Sequence, residues 1–299
     1  MDNDKKVLAS VDQSHCAEPV ADHACWAARR LQAPLTLLHV LDRHLERARG
    51  DDHSGMIGLD AQENLAEKLV EDEARRIAAA KEQGRILLTN LLNHLGDNAG
   101  RAGVANVETA LRHGAFEDVL AGQAPAVRLL VLGRSGADAD AEAGADAGAG
   151  HDSVGEHVES IVRTMHVPTL IVSGPFIEPK RILVAFDNGP AARRAVEMIA
   201  DSALFEGMKI FLFMGGAESP EIRRQLAWAE GVLRAAGRDV RVMLKPGDVA
   251  SSVTTALQEN AIDMLVMGAF GHSALRSLIF GSKTAALLRA VRIPTLLLR

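Results

Sequence analysis

The sequence nearly repeats itself, and that repeat limits the chain to two similar units built on one plan. KKVLASVDQS (Lys5 to Ser14) returns as KRILVAFDNG (Lys180 to Gly189), VRLLVLGRSG (Val127 to Gly136) returns as IDMLVMGAFG (Ile262 to Gly271), and VPTLIVSG (Val167 to Gly174) returns as IPTLLLR (Ile293 to Arg299). The three anchors recur in the same order, as tandem copies of one domain do. At 299 residues and 47% hydrophobic, the chain can bury two cores of ordinary size. Between the copies lies GPFIEPK, where Pro175 and Pro179 flank a stretch that can continue neither a helix nor a strand. The expected organisation is an N-terminal domain over 1–174, a linker at 175–180 and a C-terminal domain over 181–299.

Within each half, short apolar runs alternate with longer helical patterns. In the first half these are strand VLASV, a helix from about Pro19 to Leu31, strand LTLLHV, a long charged helix from Ala61 to Leu92, and strand VETALR. A helix near Phe116, strand LLVLG, a helix from about Gly155 and strand TLIV follow. Unbroken apolar strands separated by helices indicate a parallel sheet covered on both faces. The fold class expected is α/β: two tandem Rossmann-like domains, each a five-stranded parallel sheet with helices on both sides. Such sheets bind ligands beyond the carboxyl ends of their strands, where the strand order reverses. That rule puts Asp12, Asp187 and the glycines after LLVLG and LVMG at the ligand edges.

Composition removes several function classes. A formal net charge of −6 offers no general attraction for nucleic acid or an anionic bilayer, and 3% aromatic residues with no tyrosine provide no stacking platform for single strands. The opening MDNDKKVLASVD lacks an apolar targeting segment, and no apolar run approaches the roughly 20 residues that span a bilayer, so a soluble cytoplasmic protein is expected. Cys16 and Cys25 are too few for a disulfide framework and too far apart for a CxxC site, which leaves them as small buried fillers.

The most informative stretch is MGAFGHSALRSLIFGSKT, Met267 to Thr284. Strand IDMLVM ends at Gly268, Gly271 follows after two residues, and after nine more Gly281-Ser282 opens the helical stretch TAALLRAV. Glycine permits close backbone approach, and the first turn of a helix offers unpaired N–H groups at its positive end. Together they make a phosphate cradle, with a hydroxyl from Ser282 and charge from Lys283 or His272. The plainer readings are tight turns for the glycines, a solvated helix position for Lys283, and helix capping by Asp12 and Asp187.

The pattern G-x2-G-x9-G-S after a fourth strand, an aspartate closing the first strand and a proline-led last strand resemble the universal stress protein family, across essentially the whole chain. The resemblance implies Rossmann-like domains that pair through their last strands, and ATP or AMP, with or without magnesium, as ligand. It implies that Gly268, Gly271, Gly281 and Ser282 hold the phosphates and ribose, that Asp187 lies against the adenosine end, and that Met214 lines the adenine pocket. The first half departs from this pattern. Gly133 and Gly136 are present, but Gly155 comes after eighteen intervening residues instead of nine, and the insertion GADADAEAGADAGAG carries Asp138, Asp140, Glu142 and Asp146. These would repel a triphosphate, and Glu156 stands where the second half has Ser282. No ATP is expected there.

Enzyme signatures are missing. GSKT is not preceded by the G-x4-GK frame of a P-loop, and neither DQSHC nor DNGPA is a pyrophosphatase loop. Asp52-His53-Ser54 has the residue types of a hydrolase triad, but neighbours in sequence cannot converge on one reacting atom. His39 has no partners at metal-ligand spacing and is expected to be packed or hydrogen-bonded. The charges of EKLVEDEARRIAAAKEQ suit a solvated helix face. Two functions stay open: a nucleotide-binding regulatory protein acting on an unidentified client, and a scaffold that binds no nucleotide. Slow ATP hydrolysis or autophosphorylation is a weaker third. A monomer with an internal pseudo-dimer and a homodimer both fit.

Overall fold

The computed structural model describes residues 5–41, 59–97, 104, 106–134, 136, 156–268, 288 and 290–299. The first half contributes β1 (Lys6–Ser10), α1 (Ala17–Leu31), β2 (Leu35–Leu41), α2 (Leu59–Asp97), β3 (Val107–His113), α3 (Phe116–Gln123), β4 (Val127–Gly133), α4 (Glu156–Thr164) and β5 (Thr169–Val172). The second half contributes β6 (Arg181–Ala185), α5 (Pro190–Asp201), β7 (Lys209–Gly215), α6 (Pro220–Ala235), β8 (Asp239–Lys245), α7 (Val249–Glu259), β9 (Met264–Gly268) and β10 (Thr295–Leu298).

Local signals explain where the helices begin. Pro220 and Pro190 occupy first-turn positions, where a missing N–H costs nothing. Ser219 Oγ accepts from the Ile222 N–H at 3.2 Å, and Asp248 Oδ2 accepts from the Ser251 N–H at 3.0 Å, each satisfying an orphan donor of the first turn. Helix α1 starts at Ala17, two residues ahead of the expected Pro19, because a proline inside the first turn is as harmless as one at its start.

All ten strands join one sheet in the order β3-β2-β1-β4-β5-β10-β9-β6-β7-β8. Each half is a parallel set of five whose order reverses beside its first strand, and the two sets meet where β5 and β10 run antiparallel, with Leu170 opposite Leu296. The expected pairing through last strands therefore occurs within one chain. The antiparallel junction sends the carboxyl ends of the two halves to opposite edges of the sheet.

Alternate residues feed two cores. Val7, Ala9, Ile182, Val184, Val266 and Leu296 pack beneath α1, α2, α5 and α6. Leu8, Leu130, Leu183, Leu265 and Leu297 pack beneath α3, α4 and α7 on the other face. Because both faces are covered, the inner strands have no polar side and read as unbroken apolar runs, whereas the edge strands β3 and β8 carry exposed Glu108, Arg112, Asp239 and Arg241.

Polar groups also cross between the halves. Arg134, buried just after β4, donates from Nη1 to the Val291 carbonyl at 3.0 Å. Arg30 donates to the carbonyls of Leu204, at 3.3 Å, and Glu206. From the stretch between β5 and β6, Phe176 meets the edge of His23 at 5.0 Å and lies 6.3 Å from Trp26, both on α1. Cys16 and Cys25 are buried fillers, as expected. The charges of α2 form solvated pairs such as Arg75 with Glu71 at 3.5 Å.

Leu170→Ala and Leu296→Ala should each lower unfolding free energy by about 2–5 kcal/mol, measured by urea denaturation, because both side chains are almost wholly buried at the junction. His23 makes stability depend on pH. Its Nδ1 donates to the Pro19 carbonyl at 2.7 Å, and burial holds its pKa below the usual 6.5 despite that bond and nearby Asp22. The unfolded chain then binds the proton more readily. Stability should be full above about pH 6.5 and decline as pH falls from there through the depressed folded value, with His23→Leu flattening that slope in denaturation curves.

Candidate functional site

Strand order reverses at β6 and β9 in the second half, so the crevice beyond their carboxyl ends is where a ligand is expected. The pairing of Ala185 with Met267 brings the next residues, Phe186 and Gly268, side by side, with Asp187 one step further on. Asp187 Oδ1 accepts from the Gly189 N–H at 2.9 Å, and Asn188 between them has a left-handed φ of 60°. This Asx turn leads the chain into α5, whose N-cap is Gly189. Asp12 makes the same turn with the Ser14 N–H at 3.0 Å. In both halves the aspartate organises the loop ahead of the helix, whereas the N-cap positions expected for it are taken by Cys16 and Gly189.

Gly268 has a packing reason to be glycine. A Cβ there would lie 3.0 Å from the Ala191 Cβ and 3.2 Å from the Ala192 nitrogen, so its absence lets the end of β9 press against the first turn of α5. Gly136 in the first half similarly faces the Asp12 carboxylate, with 3.1 Å from its would-be Cβ to Oδ2. Met214 ends up 5% exposed in the core beneath α5 and α6, alongside Leu212. The structure thus gathers Asp187, Met214 and Gly268 on the adjoining ends of β6, β7 and β9. Gly271, His272, Gly281, Ser282 and Lys283 lie outside the described residues, as do Gly155 and Asp52-His53-Ser54.

His39, the first-half counterpart of Met214, is buried and donates from Nδ1 to the Val11 carbonyl at 2.8 Å, the hydrogen-bonded imidazole its isolation suggested. Among the described residues, no group of three or more His, Cys, Asp or Glu side chains is placed to hold a metal ion. No helix among them is long and apolar enough to cross a membrane.

One cluster beside this site escaped sequence reasoning. Trp228 on α6 stacks on Phe186 at 6.1 Å, and the Arg193 guanidinium lies 4.4 Å above the indole while its Nε donates to Asn188 Oδ1 at 2.9 Å. The cluster braces the Asx turn from outside. An Asn-Gly pair such as 188–189 is a turn signal that was there to be read, but nothing in the sequence ties Trp228 to it.

The universal stress protein family model matches residues 4–173 and 213–299. The chain belongs to the universal stress protein family. The second match begins within β7, so β6 and Asp187 lie outside it and their place rests on the repeat and the strand order. The chain is 29% identical over 298 residues, 99% of its length and 100% of the relative's, to universal stress protein Slr1230 of Synechocystis sp.. The fold resembles that of a universal stress protein from Archaeoglobus fulgidus, with a TM-score of 0.63 at 17% identity, covering 100% of this chain and 97% of that one. A functionally unknown protein of Pseudomonas aeruginosa aligns with a TM-score of 0.57 at 15% identity, over 99% of this chain and 93% of its own.

Gly268→Ala should cost about 1–3 kcal/mol in thermal or chemical denaturation, because the added methyl must displace backbone at the start of α5.

Proposed function

We propose that this universal stress protein binds one adenine nucleotide, ATP or AMP, in its C-terminal domain and serves as a nucleotide-dependent regulatory protein. The observation that carries the reading is the convergence of Asp187 and Gly268 at the strand-order reversal between β6 and β9, the point from which the G-x2-G-x9-G-S sequence departs. In this reading Gly268, Gly271, Gly281 and Ser282 cradle the phosphates and ribose, Lys283 or His272 supplies charge, and Asp187 and Met214 face the nucleoside. A magnesium ion accompanies ATP.

The N-terminal domain, 1–174, carries no nucleotide: its glycines are interrupted by an acidic insertion and Glu156 replaces the serine. The linker is 175–180, and 181–299 is the nucleotide domain. Occupancy changes the surface shown to a client protein in the cytoplasm, and no catalytic base is assigned. A second reading, a scaffold without nucleotide, draws support from Gly268, whose packing against Ala191 and Ala192 accounts for that glycine without a ligand.

Calorimetric titration of the intact protein with ATP and with AMP, with and without magnesium, separates the two. The nucleotide reading expects close to one nucleotide per chain, lost in a folded Gly281→Asp variant that places a carboxylate in the cradle. Absence of heat and of any thermal stabilisation by nucleotide would overturn the nucleotide reading and leave the scaffold, since a ligand that binds only the folded state must raise its stability.

A further inference from the structure

Laying the repeat over itself pairs each residue near the start of one half with one 175 positions later, Asp12 with Asp187 and Glu18 with Arg193. The backbone obeys the same pairing: the Val11 N–H donates to the Leu38 carbonyl at 2.9 Å, and the Phe186 N–H to the Phe213 carbonyl at 2.8 Å. On α2 and α6 the buried positions Leu88, Leu91 and Leu95 repeat the spacing of Leu226, Ala229 and Leu233, which sets Asn90 against Trp228. The three residues that fill the space between α5 and α6 are therefore replaced together. Phe186 becomes Val11, Arg193 becomes Glu18, and Trp228 becomes Asn90.

Where the second half is plugged by its stacked aromatics and their arginine, the first half opens into a groove of about 620 Å³. The loop after β1 and the first turn of α1 supply Gln13, His15 and Glu18 to one wall, and α2 supplies Gln83, Ile86 and Asn90 to the other. The volume lies within the range that small-molecule sites occupy, about 300–1,000 Å³. It sits on the α1–α2 face of the N-terminal half, and the nucleotide crevice proposed above belongs to the other half.

We propose that this groove binds a small organic cation, a guanidinium or primary ammonium on a short aliphatic stem. The second half shows what fits the equivalent space, because there the protein's own Arg193 fills it, with its guanidinium 4.4 Å over the Trp228 ring and a side-chain amide oxygen accepting from its Nε. The first half has exchanged that cation for a carboxylate. Among the described residues no cation forms an ion pair with Glu18, so the groove offers a negative charge that a ligand can neutralise. Gln13 and Gln83 span the groove through a long amide contact of 3.5 Å and, with Asn90, provide carbonyl acceptors in place of Asn188. Ile86, 51% exposed, gives the stem an apolar surface. Phosphates and carboxylates are disfavoured by Glu18.

The test is a titration of the full-length 15N-labelled protein, followed by backbone amide shifts, with agmatine and n-butylguanidinium as probes and AMP as an anionic comparator. Saturable shifts confined to residues 13–18 and 83–91 are expected for both cations, with affinity about threefold weaker in Glu18→Gln, as an exposed charge pair allows. Binding should disappear in Glu18→Arg/Asn90→Trp, which copies the plug of the second half, and the single Glu18→Gln change still decides the matter if that double variant does not fold. Shifts that fail to saturate, unchanged affinity in Glu18→Gln, or AMP acting on the same residues would overturn the assignment. So would binding by an arginine-containing peptide where agmatine does not bind. Failure of cation binding leaves the nucleotide reading standing, since its calorimetric signal depends on Gly281, whereas AMP acting on the groove would also contradict the nucleotide-free first half.

Discussion

Two four-residue strands, TLIV and TLLL, hold the molecule together. Each has a parallel neighbour in its own half and finds the other as its second partner, so neither is left as an apolar edge open to other chains. Everything else about the arrangement follows from that junction. It places α1, α2, α5 and α6 on one face under a common core, and it turns the carboxyl ends of the two parallel sets away from each other. Arg134 reinforces it from the loop after β4, the segment that in the second half begins the glycine motif. In the first half, a side chain from this loop reaches across to the other half instead.

The halves thus share a fold and differ at corresponding places. Asp12 and Asp187 make the same turn, and Gly133 and Gly268 end equivalent strands. Around that common frame the second half keeps the glycine spacing and fills the space beside its first loop with aromatic rings, whereas the first half loses the spacing and leaves the corresponding space open. Such divergence is what a duplicated domain permits: one copy can change chemistry while the shared sheet keeps both folded.

How much of this could be read in advance depends on what each feature rests upon. Inner strands were legible because burial on both faces makes them unbroken apolar runs, and helices because proline and capping residues mark their starts. The convergence of Asp187 with Gly268 was legible through the repeat, since strand-order reversal is a property of the fold class. The partner of the last strand was not, because TLLL would pair as well with another chain as with TLIV. The aromatic plug and the groove were also hidden. Gln13 meets Gln83 across 70 residues of sequence, and Phe186 meets Trp228 across two elements, so only the packing of helices brings them together. For Gly268 the structure adds a steric reason that the motif alone did not contain.

The central claim is that one sheet carries two inequivalent ligand edges, and amide hydrogen exchange of the intact protein with and without ATP tests it most directly. The account predicts slowed exchange around 187–189 and from 264 to 290, with the equivalent first-half segments, 12–14 and 127–136, unchanged. Protection appearing equally in both halves, or in the first half alone, would contradict it.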